Sequence, residues 1–137
     1  MSEARIGEVV IDSEADIVSA RKAVRQAAGS LGFGVTDVTR IVTAGSELTR
    51  NIYRYAGSGL MRWRRLEDRG RQGIELTFED QGPGIPDVDQ ALEAGFSSCG
   101  GLGLGLPGAK RLMDELEIRS EIGRGTTVVV RKWLEAR

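Results

Sequence analysis

Two separated glycine clusters, the first headed by an acid, constrain this chain more than anything else in it. The first is E-D-Q-G-P-G-I-P-D, opening at Glu79, and the second is G-G-L-G-L-G-L-P-G, closing at Gly108. Glycine costs backbone entropy wherever it is not needed, and it lets main chain come close to a ligand. Glycine NH groups just ahead of a helix form an anion site, because orphan donors and the helix dipole both favour negative charge. A helix-like run from Ala109 to Glu115 follows the second cluster. The stretch therefore reads as a nucleotide pocket, with Asp80 for the base and the second cluster for the phosphates. Two ordinary loops between strand and helix are the plainer alternative, and the acid placed at the strand end argues against it.

The rest of the chain fits a soluble globular protein. Its 137 residues predict one domain, 1–137, with a real core. Formal net charge is −1, so bulk electrostatics draw it to neither nucleic acid nor membrane. No run reaches the length of a membrane-spanning helix. The opening M-S-E-A-R-I-G-E has no apolar signal core, and the single cysteine, Cys99, suits a reducing compartment, so a cytoplasmic location is expected. There are no histidines. That removes Ser-His-Asp and Cys-His nucleophiles, histidine zinc sites and self-phosphorylation on histidine. Any general base is a carboxylate, a lysine or a tyrosine.

The periodicity predicts a strand over Arg5 to Ile11, then a helix from Glu14 to Leu31 that Asp12 or Ser13 can cap. A second helix is expected from about Thr36 to Ala56, capped by Thr36 or Asp37. Its buried stripe is Val38, Ile41, Gly45, Leu48, Ile52 and Tyr55. Glu47 and Asn51 flank that stripe, about 40° apart around the axis; taken alone they read as surface residues. Leu60 to Leu66 and Gly73 to Glu79 read as a hairpin, joined around Glu67 to Gln72, with a bulge or fraying end where Arg65 breaks the alternation. Its arginines, Arg62, Arg64, Arg65, Arg69 and Arg71, suit a solvated face better than a nucleic-acid surface, given the overall charge. Ala91 to Phe96 reads as one helical turn, and Ser97 to Gly101 has the small, polar character of a lid. A third main helix is expected over Gly103 to Glu115, with Pro107 in its first turn. Glu117 to Glu121 and Thr126 to Trp133 close the chain as paired strands around Gly123 to Gly125. This order predicts an α+β two-layer sandwich, a mixed β-sheet covered on one face by about three helices.

Gly103 to Gly108 matches G-x-G-x-x-G, but no strand precedes it, which opposes a dinucleotide fold. No G-x-x-x-x-G-K-[ST] occurs, and the protein-kinase set of V-A-I-K, H-R-D and D-F-G is absent.

Four boxes in order carry a resemblance: Glu47-x-x-x-Asn51, Asp80-x-Gly82-x-Gly84, Gly101-x-Gly103-x-Gly105 and Gly125-Thr126. They resemble the GHKL (Bergerat-fold) ATPase superfamily of gyrase, Hsp90, MutL and histidine kinases. More narrowly, S-E-L-T-R-N-I-Y-R-Y-A-G and G-F-S-S-C-G-G-L-G-L-G-L-P-G resemble the RsbT-like switch serine/threonine protein kinases of the bacterial stressosome. The resemblance implies ATP and Mg²⁺ as cofactors. It implies Asn51 as the Mg²⁺ ligand, Asp80 as acceptor for the adenine amino group, and Gly82, Gly84, Ile85 and Thr126 around the base. Gly101, Leu102, Gly103, Leu104 and Gly105 would surround the phosphates, and Glu47 would be the catalytic base.

The implied partners are STAS-domain substrate or scaffold proteins and, after release, a PP2C-type phosphatase. Related anti-sigma kinases usually carry Asn-Ala and a histidine after the box asparagine; here Ile52-Tyr53-Arg54-Tyr55 follows, which argues against a direct sigma-factor antagonist. Three alternatives remain: a nucleotide-gated, anti-sigma-type binder with little turnover, an ATPase in which Glu47 activates water, and a fragment of a histidine kinase, the last opposed by the missing histidine.

Overall fold

The computed structural model describes residues 6–92 and 105–134. The elements are β1 (Ile6–Ile11), α1 (Glu14–Ser30), α2 (Val35–Asn51) running into a π-helical turn (Ile52–Ala56), β2 (Gly59–Asp68), β3 (Arg71–Asp80), the short α3 (Val88–Ala91), α4 (Leu106–Leu112), β4 (Glu115–Glu121) and β5 (Gly125–Trp133). The strands form one sheet in the order β1-β2-β3-β5-β4. The helices cover one face of it, as an α+β sandwich requires.

The sheet is antiparallel at every pairing, not mixed. Two connections decide this. The α1–α2 helical hairpin returns the chain to the end where β1 stopped, so Gly59 pairs with Ile11 and β2 runs the opposite way. Helix α4 carries the chain back so that β4 runs in the same direction as β3, but β5 inserts between them and separates the parallel pair.

The core lies between sheet and helices. Met61, Leu76, Phe78 and Val130 from the sheet meet Val24, Ile41, Leu48 and Leu106 from the helices, all nearly or fully buried. Helix α2 is buried more widely than a single stripe, because α1, α4 and β3 all pack on it. Ala44 and Thr49 are therefore inside too, with the Thr49 hydroxyl donating to Gly45 O at 2.7 Å.

Several expected details differ. The hairpin strands run longer than expected, and the turn shrinks to Arg69 and Gly70, both at positive φ. This geometry matches the strand twist. The β2–β3 register is unbroken from Gly59↔Asp80 to Asp68↔Arg71, so there is no bulge at Arg65. Arg65 takes its turn on the inner face, after Met61 and Trp63, and its guanidinium reaches out to Glu67 at 2.9 Å. Long basic side chains bury their stems in this way.

At α1, Ser13 holds the N-cap position, as expected, without a side-chain cap bond; Asp16 in the first turn instead accepts through Oδ2 from Asp12 N at 2.9 Å and from the Ser13 hydroxyl at 3.1 Å. At α2 the N-cap position is Gly34, with no side-chain cap, and Asp37 sits inside the first turn. Helix α4 stops at Leu112, three residues short of the expected Glu115, because strand β4 already begins there. Buried Lys132 donates to the carbonyl of Leu112 at 2.9 Å and satisfies the helix end. The expected lid at Ser97 to Gly101, with Cys99, lies outside the described residues, as do the last residues of the turn expected to reach Phe96.

The outer sheet face is a charged lattice. Arg64 and Arg131 both bond Glu75, at 2.6 and 2.8 Å, and Arg131 also reaches Glu115 and Glu117. Arg62 pairs with Glu79, and Arg71 stacks over Trp133 at 4.0 Å. The hairpin arginines are thus largely occupied with neighbouring acids and an aromatic ring.

Candidate functional site

One cleft opens between the C-terminal half of α2, the inner face of the sheet, and the loop after β3. Leu48, Ile52, Tyr55, Phe78, Leu106 and Val128 form its apolar walls. Asn51, Asp80, Pro83, Gly84, Ile85 and Thr126 complete the lining. Four segments far apart in the chain therefore meet here: the end of α2, the end of β3 with its loop, the start of α4, and the start of β5.

Each polar member is held by its element. Asp80 ends β3 on the inner face, where it pairs across with Gly59 and Thr126. Its Oδ1 accepts from Gly82 N at 2.9 Å, a local turn that aims the carboxylate. Gly84 packs on the turn after β4 so tightly that a Cβ there would lie 3.0 Å from Ile122 Cα. Thr126 is the second residue of β5, and its Oγ1 lies 2.9 Å from Ser120 Oγ. The same Ser120 oxygen accepts from Ile85 N at 2.7 Å.

Glu47 lies one turn before Asn51, half-exposed at the rim. It faces the start of α4: a Cβ on Gly105 would sit 2.8 Å from Glu47 Oε2. Gly105 itself is left-handed, φ +67°, and occupies the N-cap position. Glu47, Asn51, Asp80, Gly84, Ile85, Gly105 and Thr126 therefore gather on one side of the molecule. Gly82 adjoins through its bond to Asp80. Gly101, Leu102, Gly103 and Leu104 lie outside the described residues.

Sequence reasoning missed three features. Ser120 ties the Asp80 loop to β5, yet it lies in no glycine box. The π-turn over Ile52–Ala56, closed by Gly57 N to Ile52 O at 3.0 Å, sits where Ile52 and Tyr55 line the cleft. Such turns occur often at functional sites, but nothing in I-Y-R-Y-A marks it. Arg50 stands between the two box residues and bonds Glu47 Oε1 at 3.1 Å.

The cleft suits a planar base: apolar walls for its faces and few polar groups to fix its edge. Among the described residues, no three His, Cys, Asp or Glu side chains converge as a metal cage. An ion that keeps its waters and takes phosphate oxygens, as magnesium does, needs none. No described helix is long and apolar enough to cross a membrane.

Comparison with known proteins gives the family. The family described as histidine kinase-, DNA gyrase B- and HSP90-like ATPase matches residues 36–136. The chain is 54% identical over 126 residues to the serine/threonine-protein kinase RsbT of Bacillus subtilis, covering 92% of this chain and 95% of that protein. It is 29% identical over 140 residues to the anti-sigma F factor of Clostridium beijerinckii, covering 96% of each. Among solved structures, it superposes on a Mycobacterium tuberculosis protein described by its RsbU and RsbW domains, with TM-score 0.61 and 18% identity. That match covers 96% of this chain and only 34% of the other, and it speaks to the fold alone.

Proposed function

The chain belongs to the histidine kinase-, DNA gyrase B- and HSP90-like ATPase family, and within it to the RsbT-like serine/threonine-protein kinases; from that premise we propose that it transfers the γ-phosphoryl group of ATP to a serine or threonine of a partner protein. The observation that carries the reading is the shared cleft: Asn51, Asp80, Gly84 and Thr126 line it, and Glu47 stands at its rim against Gly105.

In this reading Asp80 accepts from the adenine amino group and Thr126 holds the ring edge, with Gly82, Gly84 and Ile85 alongside. The side-chain oxygen of Asn51 would hold Mg²⁺, which would supply charge neutralisation at the phosphates. By the likeness to this family, Gly101 to Gly105 would supply backbone donors to the phosphates. Glu47 takes the proton of the attacking hydroxyl. Catalysis is then mainly positioning and electrostatics.

The phosphoacceptors are STAS-domain proteins of a stress-signalling complex, and release frees the kinase to activate a PP2C-type phosphatase; both rest on the likeness to RsbT-like kinases. A cytoplasmic setting goes with these partners. The second reading, a nucleotide-gated binder with little turnover, is favoured by the similarity to anti-sigma F factors. One experiment separates the two. The protein is incubated with γ-labelled ATP, Mg²⁺ and a STAS-domain protein from the same genome, beside Glu47→Ala. Label on serine or threonine, lost in the variant, is the expected result. ATP binding without label transfer would favour the gated binder.

A further inference from the structure

The reading of Glu47 as base leaves open what aims it. Glu47 is on a helix rim, with its side chain 38% exposed, and a lone glutamate there samples several rotamers. Its neighbour one turn on, Arg50, favours one of them: Nη1 donates to Oε1 at 3.1 Å. The other oxygen, Oε2, is turned toward Gly105 at the start of α4. The two oxygens therefore have different surroundings, one anchored by a cation and one directed to the side where the glycine-rich segment ends.

We propose that Arg50 is a positioning residue for phosphoryl transfer, biasing Glu47 toward the rotamer in which Oε2 receives the proton of the acceptor hydroxyl; this deepens the kinase reading and rests on it. Three observations carry the argument. The pair is built on a single rigid helix, α2, at i,i+3 spacing, so its geometry does not depend on a loop. The partner is an arginine, whose planar guanidinium donates along a fixed direction where an ammonium acts as a point charge, here through one bond from Nη1 to Oε1. The pair is also a poor stabiliser: with side chains 36% and 38% exposed, solvent screens most of its energy. An arginine here has little to do for the fold and a direct line to the proposed base.

The test compares wild type, Arg50→Gln, Arg50→Lys, Glu47→Gln and the double variant Glu47→Gln/Arg50→Gln. Phosphotransfer to a STAS-domain protein gives kcat and the KM for ATP, and a fluorescent ATP analogue gives nucleotide affinity directly. Arg50→Gln is expected to lower kcat about tenfold, the scale of a slightly misplaced catalytic group, with KM and nucleotide affinity within about twofold of wild type. Arg50→Lys recovers part of kcat, since charge returns without the directed guanidinium bond. On the Glu47→Gln background, Arg50→Gln has no further effect, because both act through one carboxylate. A rise in KM with matching loss of nucleotide affinity would overturn the proposal by making Arg50 a phosphate contact. An unchanged kcat in Arg50→Gln beside an inactive Glu47→Gln would overturn it and leave the base assignment standing. Full activity in Glu47→Gln would defeat the base assignment itself.

Discussion

Ser120 Oγ and Thr126 Oγ1 lie 2.9 Å apart across the β4–β5 pair, and the same Ser120 oxygen receives the backbone NH of Ile85 at 2.7 Å. One hydroxyl thus fastens the Asp80 loop to the strand that supplies Thr126. Two groups that line the cleft share it as a common anchor.

Replacing Ser120 by alanine removes that anchor and leaves Ile85 NH seeking a new acceptor. Ser120→Ala is expected to lose about 0.5–1.5 kcal/mol of stability, the net worth of such a bond. ATP affinity is expected to fall roughly three- to tenfold as the loop loosens, an effect of similar free energy. Urea unfolding and a nucleotide titration on the same protein measure both. Unaltered affinity in a destabilised variant would confine Ser120 to a structural role.

Asp80 offers a cleaner separation of ligand from fold. Its Oδ1 accepts from Gly82 N at 2.9 Å, and an asparagine oxygen can keep that bond. What Asp80→Asn changes is the other half of the group: an acceptor toward the cleft becomes an NH₂ facing the adenine amino group, donor against donor. ATP affinity is expected to fall by about 1–3 kcal/mol while unfolding stays close to wild type. Calorimetric titration with ATP decides it, and equal affinities would remove Asp80 from the base-binding role.

The outer face gives a prediction about pH. Burial of Glu75 raises the pKa of its carboxyl, but hydrogen bonds and charge from Arg64 and Arg131 outweigh it and hold the carboxyl below its ordinary value of 4.5. A depressed folded-state pKa means the unfolded chain takes up the proton first. The stabilisation is then complete above about 4.5 and is lost as pH falls through the lower folded value. Glu75→Gln should be less stable than wild type at neutral pH, with the gap narrowing as the medium is acidified below that range. Thermal melts across pH 3 to 7, about the span over which carboxylates titrate, supply the comparison. A gap that stays constant through acid would show that this carboxylate does not carry the linkage.

The grouping of the candidate site residues was legible in the sequence where the pattern is local. Asp80 with Gly82 and Gly84, and Glu47 with Asn51, are short patterns whose spacing carries their geometry, and they meet in space as those patterns suggest. Ser120 was not legible, since its partner Ile85 is 35 residues away in the chain and a lone serine in a strand is unremarkable. Arg65 misled because an inward arginine looks like a register error until its stem is seen to lie along the sheet and its head to reach Glu67. The antiparallel sheet was hidden for a topological reason: helices between strands suggest parallel neighbours, and only the insertion of β5 between β3 and β4 removes them.

Two glycines divide the roles of backbone shape. Gly125, at φ +119°, begins β5 where a Cβ would strike the Asp80 carbonyl and come within 2.7 Å of Gln81 Cα. Backbone cannot retreat as a flexible side chain can, so Gly125→Ala forces β5 away from β3 at the level of Asp80 and Thr126. A stability loss of about 3 kcal/mol or more is expected. Gly105, at φ +67°, is in the left-handed region, where alanine costs only about 1–2 kcal/mol. Its Cβ would meet the Glu47 side chain instead, 2.8 Å from Oε2. That side chain can swing aside, and in doing so it abandons its bond to Arg50. Gly105→Ala should therefore fold and lose phosphotransfer, whereas Gly125→Ala should lose the fold and nucleotide binding together. Denaturant midpoints set beside phosphotransfer rates test the contrast, and a fully active Gly105→Ala would mean that the Glu47 side chain, once displaced, is not the one that accepts the proton.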